Sequence, residues 1–177
     1  IHSRTDFDLS NHEKYSHKKL KYFDSSTNES YIPFVVETSL GLDRMFLAVL
    51  SNALSNEHLK DGSSRVVLKL PYILSPTKVA ILPVLKKDGL PEMAKHISEK
   101  FKTNFSTVYD EKDAIGRRYR RQDALGTPFC ITIDHQSLTS NTFTLRDRDS
   151  MKQERLSIEK IEKKIHSKLS FKNWFKA

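Results

Sequence analysis

Cysteine is nearly absent from this chain: Cys130 stands alone among 177 residues. One thiol excludes an internal disulfide framework and fits a reducing compartment. Long hydrophobic runs are missing as well. No segment reaches the ~20 consecutive apolar residues that a membrane helix needs, and no signal peptide is visible. Metal patterns are lacking among the seven histidines. His12 and His17 are not at ligand spacing on one helix face, and Cys130 has no partner, so it reads as a buried strand residue. There is no nucleophile–base arrangement, no Walker loop and no dinucleotide fingerprint. Internal repeats and low-complexity tracts are absent too. The chain opens on Ile1 rather than Met, so a fragment or a processed product is expected.

What is present is a modest apolar share, 37%, with ten Phe and six Tyr able to fill a core. The length allows one large or two small domains. The net charge of +8 is unevenly spread. Residues 1–62 hold 7 Lys and Arg against 9 Asp and Glu, a net of −2; residues 63–177 hold 23 against 13, a net of +10. Such an asymmetry points the second half toward a polyanion, nucleic acid first. A lysine-rich solvated surface is the other reading.

Polar breaks at Asp24–Ser30 and at Lys60–Arg65 divide the pattern, and the second is the better domain boundary. Between them a strand over Tyr31–Glu37 and a helix over Leu42–Leu59 are expected, the helix apolar almost all round at its start and so buried. After the boundary, Val66–Leu70 reads extended. Lys78–Val84 reads as a buried strand with Pro83 near its end or at an edge. Leu90–Lys102 is an amphipathic helix opened by Pro91. Phe105–Tyr109 is a short strand, Ala114–Ala124 an arginine-rich helix, and Phe129–Ile133 another strand. Asn141–Arg146 and Glu154–Ile158 read extended, and Ile158, Ile161, Ile165 and Leu169 mark a terminal amphipathic helix. Alternating strands and helices from Val79 to Ile133 imply a parallel core sheet, and the last two strands, close in sequence, an antiparallel pair at its edge. The fold class is α/β: a three-layer α/β/α domain over 63–177 with a mixed, mostly parallel sheet.

Two constellations carry chemistry. At Glu37–Arg44 a strand meets a small-residue turn that ends in arginine at a helix N-terminus. Glu37 closes an apolar strand and needs a cation if buried. Ser39 and Gly41 keep the turn small. Arg44 keeps its charge and has a fork suited to phosphate. An ammonium on one side and a polyphosphate on the other would suit such a corner; an Arg44–Glu37 or Arg44–Asp43 pair that merely fixes the turn is the alternative. The second constellation is Arg117, Arg118, Arg120 and Arg121 around Tyr119, able to clamp phosphates and stack on an unpaired base. Pairing with Asp113 and Asp123 is its structural counterpart. Arg146 and Arg148 alternate with Asp147 and Asp149 and are expected to pair partly with them.

Glu37-Thr38-Ser39-Leu40-Gly41-Leu42-Asp43-Arg44 resembles motif 3 of class II aminoacyl-tRNA synthetases, and in detail the Glu-Pro-Ser-x-Gly-Leu-Asp-Arg of glycyl-tRNA synthetases, departing only at Thr38. Ile1–Leu9, Ala114–Pro128 and Thr144–Ser150 resemble three further segments of that family, in order and at matching spacing. The resemblance implies the C-terminal portion of such an enzyme: residues 1–62 from the end of the catalytic domain, with an antiparallel sheet, and 63–177 as the anticodon-binding domain. It implies a glycine site at Glu37, Thr38, Ser39, Leu40 and Gly41, an ATP edge at Gly41, Leu42, Asp43 and Arg44 with Arg44 catalytic, and tRNA contacts at Arg117, Arg118, Tyr119, Arg120, Arg121, Arg146 and Arg148. It further implies ATP with Mg as co-substrate, glycine and its tRNA as partners, a homodimer in the complete enzyme and a cytoplasmic location; the residues themselves lead to the expectation of no resident metal and no membrane partner.

The motif 1 and motif 2 segments that complete a class II site are missing here, so the chain alone is expected to be unable to activate glycine. A non-catalytic RNA-binding module, a synthetase for threonine, proline or histidine, and an accessory dimer protein on the same fold are the competing readings.

Overall fold

The computed structural model describes residues 1–59 and 61–174, and the chain divides into two compact units, Ile1–Phe46 and Leu47–Ala177. Lys60, at the start of the second polar break, lies outside the described residues.

In the first unit, β1 (His2–Thr5) pairs antiparallel with β4 (Val35–Glu37), His2 opposite Glu37. Between them come α1 (Phe7–Ser16) and the hairpin of β2 (Tyr22–Asp24) and β3 (Glu29–Tyr31). The strand expected from Tyr31 to Glu37 is therefore broken. Pro33 lies in the gap, and its missing N–H cannot serve a ladder. No residue from 1 to 46 is buried.

Helix α2 (Leu42–Ala53) ends six residues before the expected Leu59. Leu54–His58 instead forms β5, antiparallel to β6 (Ser64–Leu68). Ser51, Asn52, Ser55 and Asn56 are weak helix formers, and pairing with β6 gives Leu54–His58 a ladder beside the fully buried Val67. The first turns of α2 were expected to be buried, yet Leu42 is 84% exposed and Met45 and Phe46 are also exposed. The unit Ile1–Phe46 builds no core that could receive them. The polar break at 61–63 is the turn of the β5–β6 hairpin, inside the second unit, with Ser63 N–H donating to Asp61 Oδ1 at 2.9 Å.

The second unit centres on a five-stranded sheet of β7 (Val79–Pro83), β8 (Thr107–Tyr109), β9 (Phe129–Ile133), β10 (Thr142–Asp147) and β11 (Gln153–Ser157), in the spatial order β11-β10-β9-β7-β8. β7 pairs parallel with both β8 and β9, while β10 runs antiparallel to β9 and β11. The sheet is thus mixed with one reversed strand, and the closing antiparallel pair sits at its edge as expected. Pro83 is the last residue of β7, where its missing N–H costs least.

Alternation along the strands sorts the two faces. Val79, Ile81, Phe129, Ile131, Ile133, Phe143 and Leu145 point to one side, against Leu90, Ala94, Ile97 and Phe101 of α3 (Leu90–Lys102) and Ile158, Ile161 and Ile165 of α6 (Ile158–Leu169). Ala80, Leu82 and Cys130 point to the other, against Ile115 and Tyr119 of α4 (Ile115–Leu125). Helices on both faces make three layers. Burial pushes the Cys130 thiol up to about 12. A short helix, α5 (His135–Ser140), is capped by Asp134, whose carboxylate accepts from Ser137 N–H at 3.0 Å.

Candidate functional site

Helix α4 owes its limits to its flanks. Ala114 is extended, and Gly126, at φ +79°, closes the helix in the left-handed region. A Cβ at Gly126 would lie 3.0 Å from the Leu68 carbonyl oxygen, so glycine also lets β6 approach. With little apolar surface, α4 presents a mixed face, and its period sends the four arginines in different directions.

Arg118 points inward. Its Nε donates to Asp113 O at 2.9 Å, Nη1 to Pro83 O, and Nη2 to Val84 O at 3.4 Å. Arg121 spans Asp110 and Asp113, each at 2.5 Å. Tyr119 is half-buried. Its hydroxyl meets Thr132 Oγ1 at 2.5 Å, and Arg146 lies 4.8 Å over its ring. Arg117 is exposed and Arg120 half-exposed; among the described residues, no hydrogen bond or ion pair holds either guanidinium. Arg120 borders a crevice of about 210 Å³ together with Gly116, Tyr119, Arg146, Met151 and Gln153.

The two arginines of β10 and the strand-to-strand connection are buried. Arg146 forks onto both oxygens of Asp123, at 2.7 and 2.9 Å. Burial works against its charge, but Asp123 outweighs burial and the Arg146 guanidinium is held above its ordinary range. Arg148 lies 5.2 Å over the ring of Tyr72 and donates to Gly126 O at 2.9 Å and Leu70 O at 2.7 Å. Its Nε reaches Asp149 at 2.7 Å. Pairing within the Arg-Asp-Arg-Asp segment therefore holds for Arg148, while Arg146 turns to a helix 23 residues away.

Sequence reasoning passed over Arg65. It donates to Glu57 at 2.6 Å, to Asp123 at 2.9 Å and to the Arg148 carbonyl at 2.9 Å. The available signal was its phase: Arg65 shares a strand face with the buried Val67. It also read Asp123 only as one possible partner for the α4 arginines.

In the first unit, Glu37 finds its cation in Arg4, 3.5 Å away, and Arg4 also forks onto Asp8 at 2.9 Å. Glu37 is about half-exposed, so it escapes the cost of burial expected for it. Thr38, Ser39, Leu40, Gly41, Leu42, Asp43 and Arg44 are all exposed. The Gly41 carbonyl accepts from Met45 N–H at 3.0 Å and so opens α2. Asp43 stands in the first turn, where the helix dipole favours it. Among the described residues Arg44 forms no ion pair, with Glu37 or with Asp43. No three His, Cys, Asp or Glu side chains converge among the described residues, and no described helix is long and apolar enough to cross a membrane.

Residues 78–168 match a protein family described as an anticodon-binding domain. Over nearly all its length the chain is similar to proteins named glycine–tRNA ligase. It is 50% identical to that of Chlorobaculum tepidum, over 96% of this chain and 36% of the relative, and 52% identical to that of Mycoplasmopsis synoviae, over 91% and 36%. For the Treponema denticola protein the identity is 44%, covering all of this chain and 40% of the relative. The chain thus spans little more than a third of these curated relatives. Among solved structures, the RNA-binding domain of threonyl-tRNA synthetase from Cryptosporidium parvum superposes with a TM-score of 0.52 at 25% identity, over 56% of this chain and 25% of that one.

Proposed function

This chain belongs to the anticodon-binding domain family, and from that premise we propose that it supplies tRNA anticodon binding to a glycine–tRNA ligase, which joins glycine to its tRNA with ATP. The observation that carries the reading is α4. Arg117 and Arg120 are cations whose guanidiniums no hydrogen bond or ion pair holds among the described residues, Arg120 feeling only the pull of Asp61, on a fold whose second half carries a net charge of +10. Such guanidiniums neutralise phosphates and stack on unpaired bases. Arg118, Arg146 and Arg148 spend their donors inside and serve by holding the helix and strands that present the others. Tyr119 has one ring face taken by Arg146, and Arg121 has its fork taken by Asp110 and Asp113, so both contribute at the margin.

The reading assigns residues 1–62 to the catalytic part and 63–177 to tRNA binding. Glu37 would take the glycine ammonium in place of Arg4, with Ser39 beside the α-carbon and Thr38, Leu40 and Gly41 closing the turn. A tight pocket suits the smallest amino acid, because larger ones clash. Arg44, exposed in the first turn of α2 and without an ion pair among the described residues, fits a triphosphate. ATP would supply the adenylyl group: the glycine carboxylate would attack the α-phosphate, the bond to the β-phosphate would break and pyrophosphate would leave, and Arg44 would neutralise charge building on the phosphate oxygens as Gly41, Leu42 and Asp43 form the edge of the site. No cluster among the described residues is built to hold the magnesium that accompanies ATP. The complete enzyme would be a cytoplasmic homodimer, and this piece without the motif 1 and motif 2 walls would not activate glycine.

The test is binding of the tRNA for glycine to this chain across a salt series. Expected is salt-sensitive binding with no glycine-dependent ATP–pyrophosphate exchange. Replacing Arg117 and Arg120 by alanine should lower the slope of log K against log salt by roughly one unit for each phosphate no longer neutralised. An unchanged slope would sink the assignment of α4.

A further inference from the structure

We propose that Asp123 is a positioning residue for RNA binding: its buried carboxylate locks α4 to β6 and β10 and so fixes the direction in which Arg117 and Arg120 face. The proposal rests on the RNA-binding reading above.

Asp123 is wholly inaccessible, and three N–H groups converge on it, one from Arg65 and two from Arg146. Each of these arginines is anchored a second time. Arg65 reaches Glu57 on β5 and the carbonyls of Arg148 and Asp149 in the β10–β11 connection. Arg146 lies over Tyr119, one turn back along α4. One carboxylate therefore ties together the hairpin, the helix and β10. At the other end of α4, Arg118 binds the carbonyls of Asp113, Pro83 and Val84. The helix is pinned near both ends, so it can neither roll about its axis nor slide along the sheet.

The choice of charge is informative. A buried ion pair is a weak stabiliser compared with apolar side chains of the same volume. What a forked guanidinium–carboxylate contact adds is angular definition. An apolar contact at position 123 would tolerate a rotated helix, whereas two guanidiniums on one carboxylate do not. Among the described residues no hydrogen bond or ion pair orients Arg117 or Arg120, and Arg120 feels only the pull of the Asp61 carboxylate, so their heading is inherited from the helix.

A double-mutant cycle on tRNA affinity tests this, with Asp123→Asn made in the chain and in the Arg117→Ala/Arg120→Ala background. Expected is an affinity loss of about tenfold in the first case and less than twofold in the second, with the salt slope of Asp123→Asn approaching that of the arginine double variant. Equal losses in both backgrounds would mean that Asp123 only keeps protein folded, and would overturn the proposal while leaving the RNA-binding reading intact. No loss on removing Arg117 and Arg120 would overturn both. If circular dichroism shows that Asp123→Asn does not fold, Arg65→Lys replaces it, keeping the charge but not the fork. A loss of roughly two- to threefold, confined to the chain that retains Arg117 and Arg120, supports the proposal; full affinity in folded Arg65→Lys overturns it.

Discussion

Between Ile1 and Phe46 no side chain is buried, whereas Leu47–Ala177 closes helices over both faces of a sheet whose central strands β7 and β9 are buried throughout. The first unit carries the more conspicuous motif and the second carries the packing. The difference teaches that a recognisable motif and a folding core obey separate rules. Glu37, Ser39 and Arg44 need only be placed along one turn to be recognisable, but a core needs side chains from several elements that close over one another and exclude water. In the second unit the arginines that look most RNA-directed are split by helical phase into inward and outward sets, and burial decides which can meet a ligand.

Stability offers the first way to break this contrast. Phe101→Ala, in the core against Phe105, should cost about 3–5 kcal/mol in urea unfolding of the chain. Leu42→Ala, on the exposed start of α2, should stay within ~0.5 kcal/mol. Equal costs would show that the first unit has a core after all. Next in size is Arg44→Ala in the complete enzyme, which should reduce glycine-dependent ATP–pyrophosphate exchange at least ~100-fold. The same change in this chain should leave the urea midpoint where it was, and near-normal exchange would remove Arg44 from the chemistry.

The smallest effect concerns acid. Burial opposes ionisation of Asp134, but Arg155 and the N–H and hydroxyl of Ser137 outweigh it and hold the carboxyl below its ordinary range. The unfolded state therefore takes up the proton first as pH falls, and the stability from this group is complete above about pH 4 and lost below it. Asp134→Asn keeps a good cap and removes the charge. It should cost roughly 0.5–1 kcal/mol near neutral pH, since the pair is partly exposed. The gap to the parent should close in strong acid, and a pH-independent gap would assign the effect to capping alone.

Much of the second unit was legible because its signals are local. Leu90–Lys102 has strong helical phase and a proline in its first turn, and Phe129–Ile133 is a pure apolar run; both elements have the expected limits. Helix α1 was not legible, because Phe7–Ser16 is polar nearly all round and buries nothing. Leu54–His58 was misread as helix because its strand state depends on β6, a partner beyond a turn. The ionic core was the least visible part. Arg65, Asp123 and Arg146 lie 58 and 23 residues apart in sequence, and no local window shows that they share one carboxylate. The corner at Glu37 was legible as a motif, while its pairing with Arg4 across the β1–β4 ladder was not.

Cys130 gives the second unit a built-in stopwatch. Its thiol sits in the middle of the sheet, between β7 and β10, and burial keeps it from ionising. An alkylating reagent needs the thiolate, so labelling must wait until β9 is released and the group returns to its ordinary ~8.5. The rate of modification at mildly alkaline pH therefore measures how often the sheet opens. Because the chain has no other cysteine, that reading comes from one place without any added probe, and the tRNA binding proposed for the closed unit should slow it.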